Sequence, residues 1–155
     1  MKMKVLFYFA LAACGLFAAQ AFAESHRTPS APGATVGFGN LSDGDVVPPG
    51  YVVRFTISGM GIAPAGSMIE NTGHFHLLID LDQLPPMDQP LPANEHILHF
   101  GKGQTETALD LPEGQHRLQV LLADFAHVPH DPPVISKPIT IEISADAPAP
   151  AGDDS

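Results

Sequence analysis

Between residues 34 and 144, apolar and polar positions alternate with a period of two in one short run after another, as in half-buried β-strands. "ATVGF" comes first. "YVVRFTIS" follows, with Val53, Phe55 and Ile57 set against Val52, Arg54 and Thr56. "HFHLLID", "HILHF" and "TETALDL" continue the series. "HRLQVLLAD" directs Leu118, Val120 and Leu122 inward, and "PITIEIS" does the same with Ile139, Ile141 and Ile143 while Thr140 and Glu142 face out. Turn chemistry separates the runs: "SDGD", "VPPG", "GKG", "LPEG" and "HDPP". "GKGQTE" reads as a hairpin turn, since it has neither the spacing nor the following helix of a phosphate loop. Pro138, at the head of the last run, suits an edge strand. No helical periodicity of useful length and no repeat interrupts the pattern. About seven short strands in roughly 110 residues predict an all-β fold, an immunoglobulin-like antiparallel β-sandwich. A small barrel or jelly roll is the alternative with the same pattern.

The run "GHFHLLID", residues 73–80, departs from a plain core strand. Strand alternation puts Phe75, Leu77 and Ile79 on the core face. His74, His76, Leu78 and Asp80 share the other, so two imidazoles stand side by side, as metal ligands or as polar groups facing water. The chain holds eight histidines. His26 lies in a leading segment, and six others form close pairs: His74/His76, His96/His99 and His127/His130. Neutral imidazole is a common ligand for copper, zinc and nickel, and a strand or turn presents two of them with little further ordering. His96 and His99 are an odd distance apart and face opposite ways on one strand. His99 is the one expected to join His74 and His76 from a neighbouring strand. His127 and His130 lie in the Pro-rich loop "DFAHVPHDPP" at one end of the sandwich, where sites usually gather. Asp80, Glu106, Asp124 and Asp131 are carboxylates in the same segments, available as ligands or as partners to a ring N–H. The alternative is that the imidazoles hydrogen-bond to backbone or carboxylates and stitch loops down, with His116 serving structure alone. Met60 and Met68 in "GMGIAPAGSMIE" carry thioethers suited to Cu(I), but methionine is more often a core gap-filler.

Composition sharpens the setting. "MKMK" followed by "VLFYFALAACGLF" and ending in "AFA" at Ala23 has the form of a Sec-type signal peptide over residues 1–23, too short and wrongly flanked for a membrane span. A periplasmic or secreted protein is expected. Cys14 in "LAAC" resembles a lipobox cysteine, but the apolar sequence continues past it, which favours cleavage after Ala23. Residues 24–33 read as a flexible lead-in, 34–144 as the sandwich domain, and 145–155 as a disordered Ala/Pro/acidic tail. Cys14 is the one cysteine, so an exported domain holds no disulfide and depends on hydrophobic burial. A formal net charge of −10, made more negative by loss of Lys2 and Lys4, disfavours nucleic acid and anionic membranes and favours cations. Cleavage after Ala23 would also expose Glu24-Ser25-His26. A free amine, two amides that can deprotonate and a third-position imidazole form a four-nitrogen pocket for Cu(II) or Ni(II).

The motifs "GMGIAPAG", "NTGHFHLLID", "HFGKGQTE", "LPEGQHRLQVLLAD" and "HVPHDPPVIS" resemble those of domain-of-unknown-function family 4399, small exported bacterial proteins, over roughly residues 36–143. The resemblance implies an exported β-sandwich module and assigns no activity. His99, Gln104, Glu106, Asp124, His127 and His130 fall on the family's motifs. Where that pattern has three successive histidines, this chain has Phe75 in the middle, on the face expected in the core.

Enzyme signatures are missing: there is no GxSxG elbow, no HExxH helix and no cysteine after residue 23. The expected function is therefore non-catalytic binding of copper or zinc through His74, His76 and His99, with His127, His130, Asp124 and His26 as further candidates. Such a protein would be a carrier, buffer or sensor. A metal-dependent hydrolase or oxidase stays open if the histidines leave a coordination position free. The reading from a different class is a metal-free module that docks an envelope protein, and a third is a version of that module whose paired histidines charge near pH 6.

Overall fold

The structure, a computed structural model, describes residues 27–148. The expected leader with Cys14, the residue His26 and the end of the tail lie outside the described residues. Nine strands and no helix occur among the described residues. In chain order they are β1 (Thr35–Phe38), β2 (Val46–Val47), β3 (Val52–Ser58), β4 (Gly61–Ile62), β5 (Thr72–Ile79), β6 (Ile97–His99), β7 (Glu106–Ala108), β8 (Gly114–Ala123) and β9 (Ile139–Ile143). All seven runs read from the sequence are strands. The two additional ones, β2 and β4, are two residues each.

The strands form two sheets. One has the order β1-β3-β7, the other β2-β9-β8-β5-β4, with β6 also paired to β5. Pairing is antiparallel except for the short β2–β9 and β4–β5 contacts. The orders β1-β3-β7 and β9-β8-β5 are those of an immunoglobulin-like sandwich. The "GKG" segment is not a hairpin turn. It leaves β6 in one sheet and enters β7 in the other, because β6 pairs with β5 and β7 with β3. Nor is Pro138 at an open edge. Val46 and Val47 pair with Glu142 and Ile143, and Asp43 Oδ1 accepts the Thr140 N–H at 2.7 Å, so turn and strand together cover β9.

The main core lies between the sheets. Val53 and Phe55 of β3 meet Phe75, Leu77 and Ile79 of β5, Leu118, Val120 and Leu122 of β8, and Ile141 and Ile143 of β9. Phe55 bridges the layers, its ring 5.2 Å from Phe75 and 5.0 Å from Phe100. Each of these aromatic and aliphatic side chains contributes about 1.5–3 kcal/mol by leaving water. The opposite face of β5 and β8 is buried too. Leu78, Leu121 and Ala123 pack with Leu91 and Ile97 under Leu81, Met87 and Ile135, forming a second, smaller core. Loops 80–96 and 124–138 supply that cover. The continuous apolar runs "LLI" and "VLLA" now have their reason, since a strand buried on both faces has no polar side.

The lead-in is fixed from Arg27 onward. Ser30 N–H donates to the Asp131 carbonyl and Asp131 N–H to that of Thr28, both at 3.0 Å. Arg27 donates to the Pro129 and His130 carbonyls and pairs with the Asp131 carboxylate at 3.2 Å. A short strap thus lies along the loop that follows β8.

Candidate metal centre

Register brings the histidines together. His74 and His76 project from the same face of β5, with Ala123 and Leu121 of β8 directly opposite them. On the other side of β5, His99 of β6 is the cross-strand partner of His76. His127 arrives from the loop after β8, with a left-handed backbone φ of 68°, a conformation that costs a non-glycine residue about 1–2 kcal/mol. Its N–H donates to the Asp124 carbonyl, and its own carbonyl accepts the Leu91 N–H, each at 2.9 Å.

Four imidazoles result, packed ring against ring. His74 lies 4.9 Å from His76, 5.0 Å from His99 and 5.1 Å from His127, and His99 lies 4.7 Å from His127. His76 and His99 are 5.1 Å apart. His74, His99 and His127 each offer a ring nitrogen, all within 4.8 Å of one another, a spacing that could hold a metal ion. Nitrogens bound at about 2.0–2.1 Å to one ion stand roughly 3.5 Å apart, so the rings need to close by no more than about an ångström.

Burial makes the cluster unusual. His74 and His76 are 0% and 1% exposed, and the surroundings give all four of their ring nitrogens no hydrogen-bond partner. The Nε2 atoms of His99 and His130 are also buried and unpartnered. A buried polar group left without a partner costs about 1–3 kcal/mol. Basicity responds accordingly. Burial, reinforced by the charges His99 and His127 would carry, lowers His74 to about 4, and burial together with His74 lowers His76 to about 3. Burial and His127 lower His99 as well. His74, His76 and His99 are therefore neutral at pH 7, with free lone pairs. The alternative in which His74 and His76 face water does not hold.

Two glycines make room. A Cβ on Gly101 would run into the His99 ring, and one on Gly73 would come within 2.9 Å of His130 Nε2 and closer still to the Ala123 carbonyl. Sequence reasoning passed over both. Their signal was a glycine one or two positions from a histidine, in "GHF" and "HFG".

The remaining candidates occupy other places. Asp124 is committed to shaping the loop: Oδ1 accepts the N–H groups of Ala126 and Val128 at 2.9 and 3.0 Å, and Oδ2 accepts the Thr28 hydroxyl at 2.6 Å. It acts on His74 only through its charge. His130 is fully buried, but it stands outside the group of three. Its Nδ1–H donates to the Thr28 carbonyl at 3.3 Å, and burial lowers its pKa. His26 lies outside the described residues. β5 ends at Ile79, and Asp80 turns away with a φ of 53°. There it accepts His116 Nδ1–H and the Arg117 N–H, both at 2.7 Å. His116 Nε2–H donates to the Pro112 carbonyl, and these bonds outweigh burial and raise its pKa. His96 donates to the Ile79 carbonyl at 3.1 Å. Glu106 pairs with Arg54 and Asp131 with Arg27. Met60 packs on the main core, whereas Met68 is exposed.

A family described as "Domain of unknown function (DUF4399)" matches residues 53–144, a span running from the second residue of β3 past the end of β9 and holding every ring of the cluster. No curated protein and no solved structure matches the chain.

Proposed function

The chain belongs to the DUF4399 family, and from the site it carries we propose that the protein binds a transition-metal ion, copper or zinc, through His74, His99 and His127, with His76 directly behind them. One observation carries the reading: buried ring nitrogens of His74 and His99, which lack hydrogen-bond partners, converge with the partly exposed ring of His127 from a third segment. Hydrogen-bonded structural histidines look different in the same molecule, as His96 and His116 do. An ion would supply the buried nitrogens of His74 and His99 with the partner they lack.

We read the protein as a carrier, buffer or sensor. Asp124, the carboxylate nearest in charge, is held by three donors and is not poised as a general base. The leader-like pattern of residues 1–23 supports placing this activity in the cell envelope. The metal-free module whose histidines charge near pH 6 fares less well, because His74 and His76 are depressed far below that value.

Metal content and melting of protein prepared without a histidine tag test the proposal. A metal at 100 times its Kd stabilises the folded form by about 2.7 kcal/mol, a rise on the order of 10 °C in Tm. If neither copper nor zinc moves the midpoint, and the double variant His74→Ala/His76→Ala behaves like the parent with each ion, the site does not bind metal.

A further inference from the structure

We infer that this site takes copper as the monovalent ion, Cu(I), in preference to the dications Cu(II) and Zn(II). The inference rests on the metal-binding reading above and narrows it. Imidazole accepts either oxidation state of copper, and zinc as well, so donor type does not decide. Charge and ligand number do.

Every candidate ligand in the cluster is an imidazole, which coordinates an ion as an uncharged donor. Among the described residues, the one group of histidine, cysteine and carboxylate side chains with metal-holding spacing consists of His74, His99 and His127, with no anion in it. Asp124 cannot swing in without giving up the Thr28 hydroxyl and the N–H groups of Ala126 and Val128. The side chains facing His74 and His76 across the strand pair are Ala123 and Leu121, and behind them lie Leu78, Leu91 and Ile97. A filled site would therefore hold its ion among uncharged ligands in largely apolar surroundings, with the charge of Asp124 as the one offset from outside the ligand set. The penalty for burying an uncompensated charge rises steeply with its magnitude. A dication would have to bring an anion from solution, entering on the half-exposed side of His99 and His127.

Ligand number points the same way. The nitrogens close enough to share one ion are those of His74, His99 and His127, with His76 packed against them outside that group. Such a trigonal site suits a closed-shell Cu(I) ion, whereas zinc asks for a fourth ligand. The metal is held as delivered, and no electron is transferred in binding.

The test titrates the untagged protein under anaerobic, reducing conditions against a chromogenic Cu(I) chelator. In parallel, Ag(I), a redox-inert monovalent surrogate, is compared with Zn(II) by melting. Equimolar Ag(I) is expected to raise the midpoint well above the rise given by Zn(II), and His127→Asn, which tolerates the left-handed backbone, to remove most of that rise. Electrochemistry of the copper-loaded protein should show at least about a tenfold preference for Cu(I) over Cu(II), relative to copper in imidazole solution, which is about 59 mV for a one-electron couple. Addition of millimolar acetate, which leaves Ag(I) in solution, should strengthen Zn(II) binding and leave Ag(I) binding unchanged. If Zn(II) or Cu(II) binds as well as the monovalent ions without an added anion, the preference is refuted while the metal site stands. If no ion of either charge binds, both are refuted.

Discussion

The two faces of β5 are buried to the same degree and built on different principles. On one, Phe75, Leu77 and Ile79 meet apolar partners from both sheets, and nothing there asks for more than close packing. On the other, Leu78 is followed back along the strand by His76 and His74, which are as dry as the phenylalanine between them and lack hydrogen bonds. The first face accounts for itself by its contribution to stability. The second is stabilised by Leu91, Ile97 and Leu121 but weakened by the imidazoles among them. A protein that needed only a fold would be more stable with apolar residues at positions 74 and 76. The contrast teaches that burial alone does not mark a core, and that unpaired donors and acceptors inside one mark a candidate site.

Substitution on the packed face should give the largest effect. Phe75→Ala is expected to destabilise by about 3–5 kcal/mol, measured by denaturant unfolding, and by the same amount with and without metal. Equal loss on the imidazole face, from His74→Ala, would erase the distinction.

Acid should separate the faces next. A histidine whose folded pKa is depressed leaves stability intact above the unfolded value of 6.5 and removes it as pH falls below that. For His74 the loss continues to about 4 and for His76 to about 3. Between pH 7 and pH 5 the metal-free protein should lose on the order of 2 kcal/mol for each of these two rings. A flat stability profile over that range would mean that the rings are better solvated than their burial implies.

A smaller change of opposite sign is expected from His76→Leu. Replacing an unpaired polar ring by an apolar side chain of similar volume should raise metal-free stability by about 1 kcal/mol while abolishing or weakening the metal-induced rise in Tm. Loss of both would show His76 to be structural.

His116 supplies the weakest test and the control. Its raised pKa makes its bond to Asp80 stabilising below pH 6.5, an effect lost as pH rises through the raised value. With Asp80 partly exposed, the contribution is no more than about 1 kcal/mol. Asp80→Asn should therefore reduce stability at pH 5.5 and change little at pH 9, with metal binding untouched.

Much of this arrangement was readable in the sequence, because alternation and turn residues are local signals. All seven predicted strands exist, and the guess that His99 would reach β5 from a neighbouring strand is the register in which it faces His76. Strands β2 and β4 escaped notice because two residues carry no periodicity, and their parallel partners are far along the chain or across an irregular loop. The second core was hidden for a related reason. Whether the far side of β5 is wet or dry depends on where loops 80–96 and 124–138 fold, and no local pattern states that. Asp124 shows the limit of composition: an aspartate three residues from a histidine invites a ligand role, yet its geometry is that of a loop clasp. His127 and His130 looked equivalent as a pair. The turn held by Asp124 sends only the first into the ring cluster.

The strap from Arg27 to Ser30 has a practical corollary. Because it lies against Pro129 and Asp131, any sequence fused ahead of Arg27 begins beside the loop that supplies His127. A polyhistidine purification handle attached there would contend with the cluster for the same ions. Recombinant work on this protein therefore calls for a carboxy-terminal handle, or one removed completely before any titration.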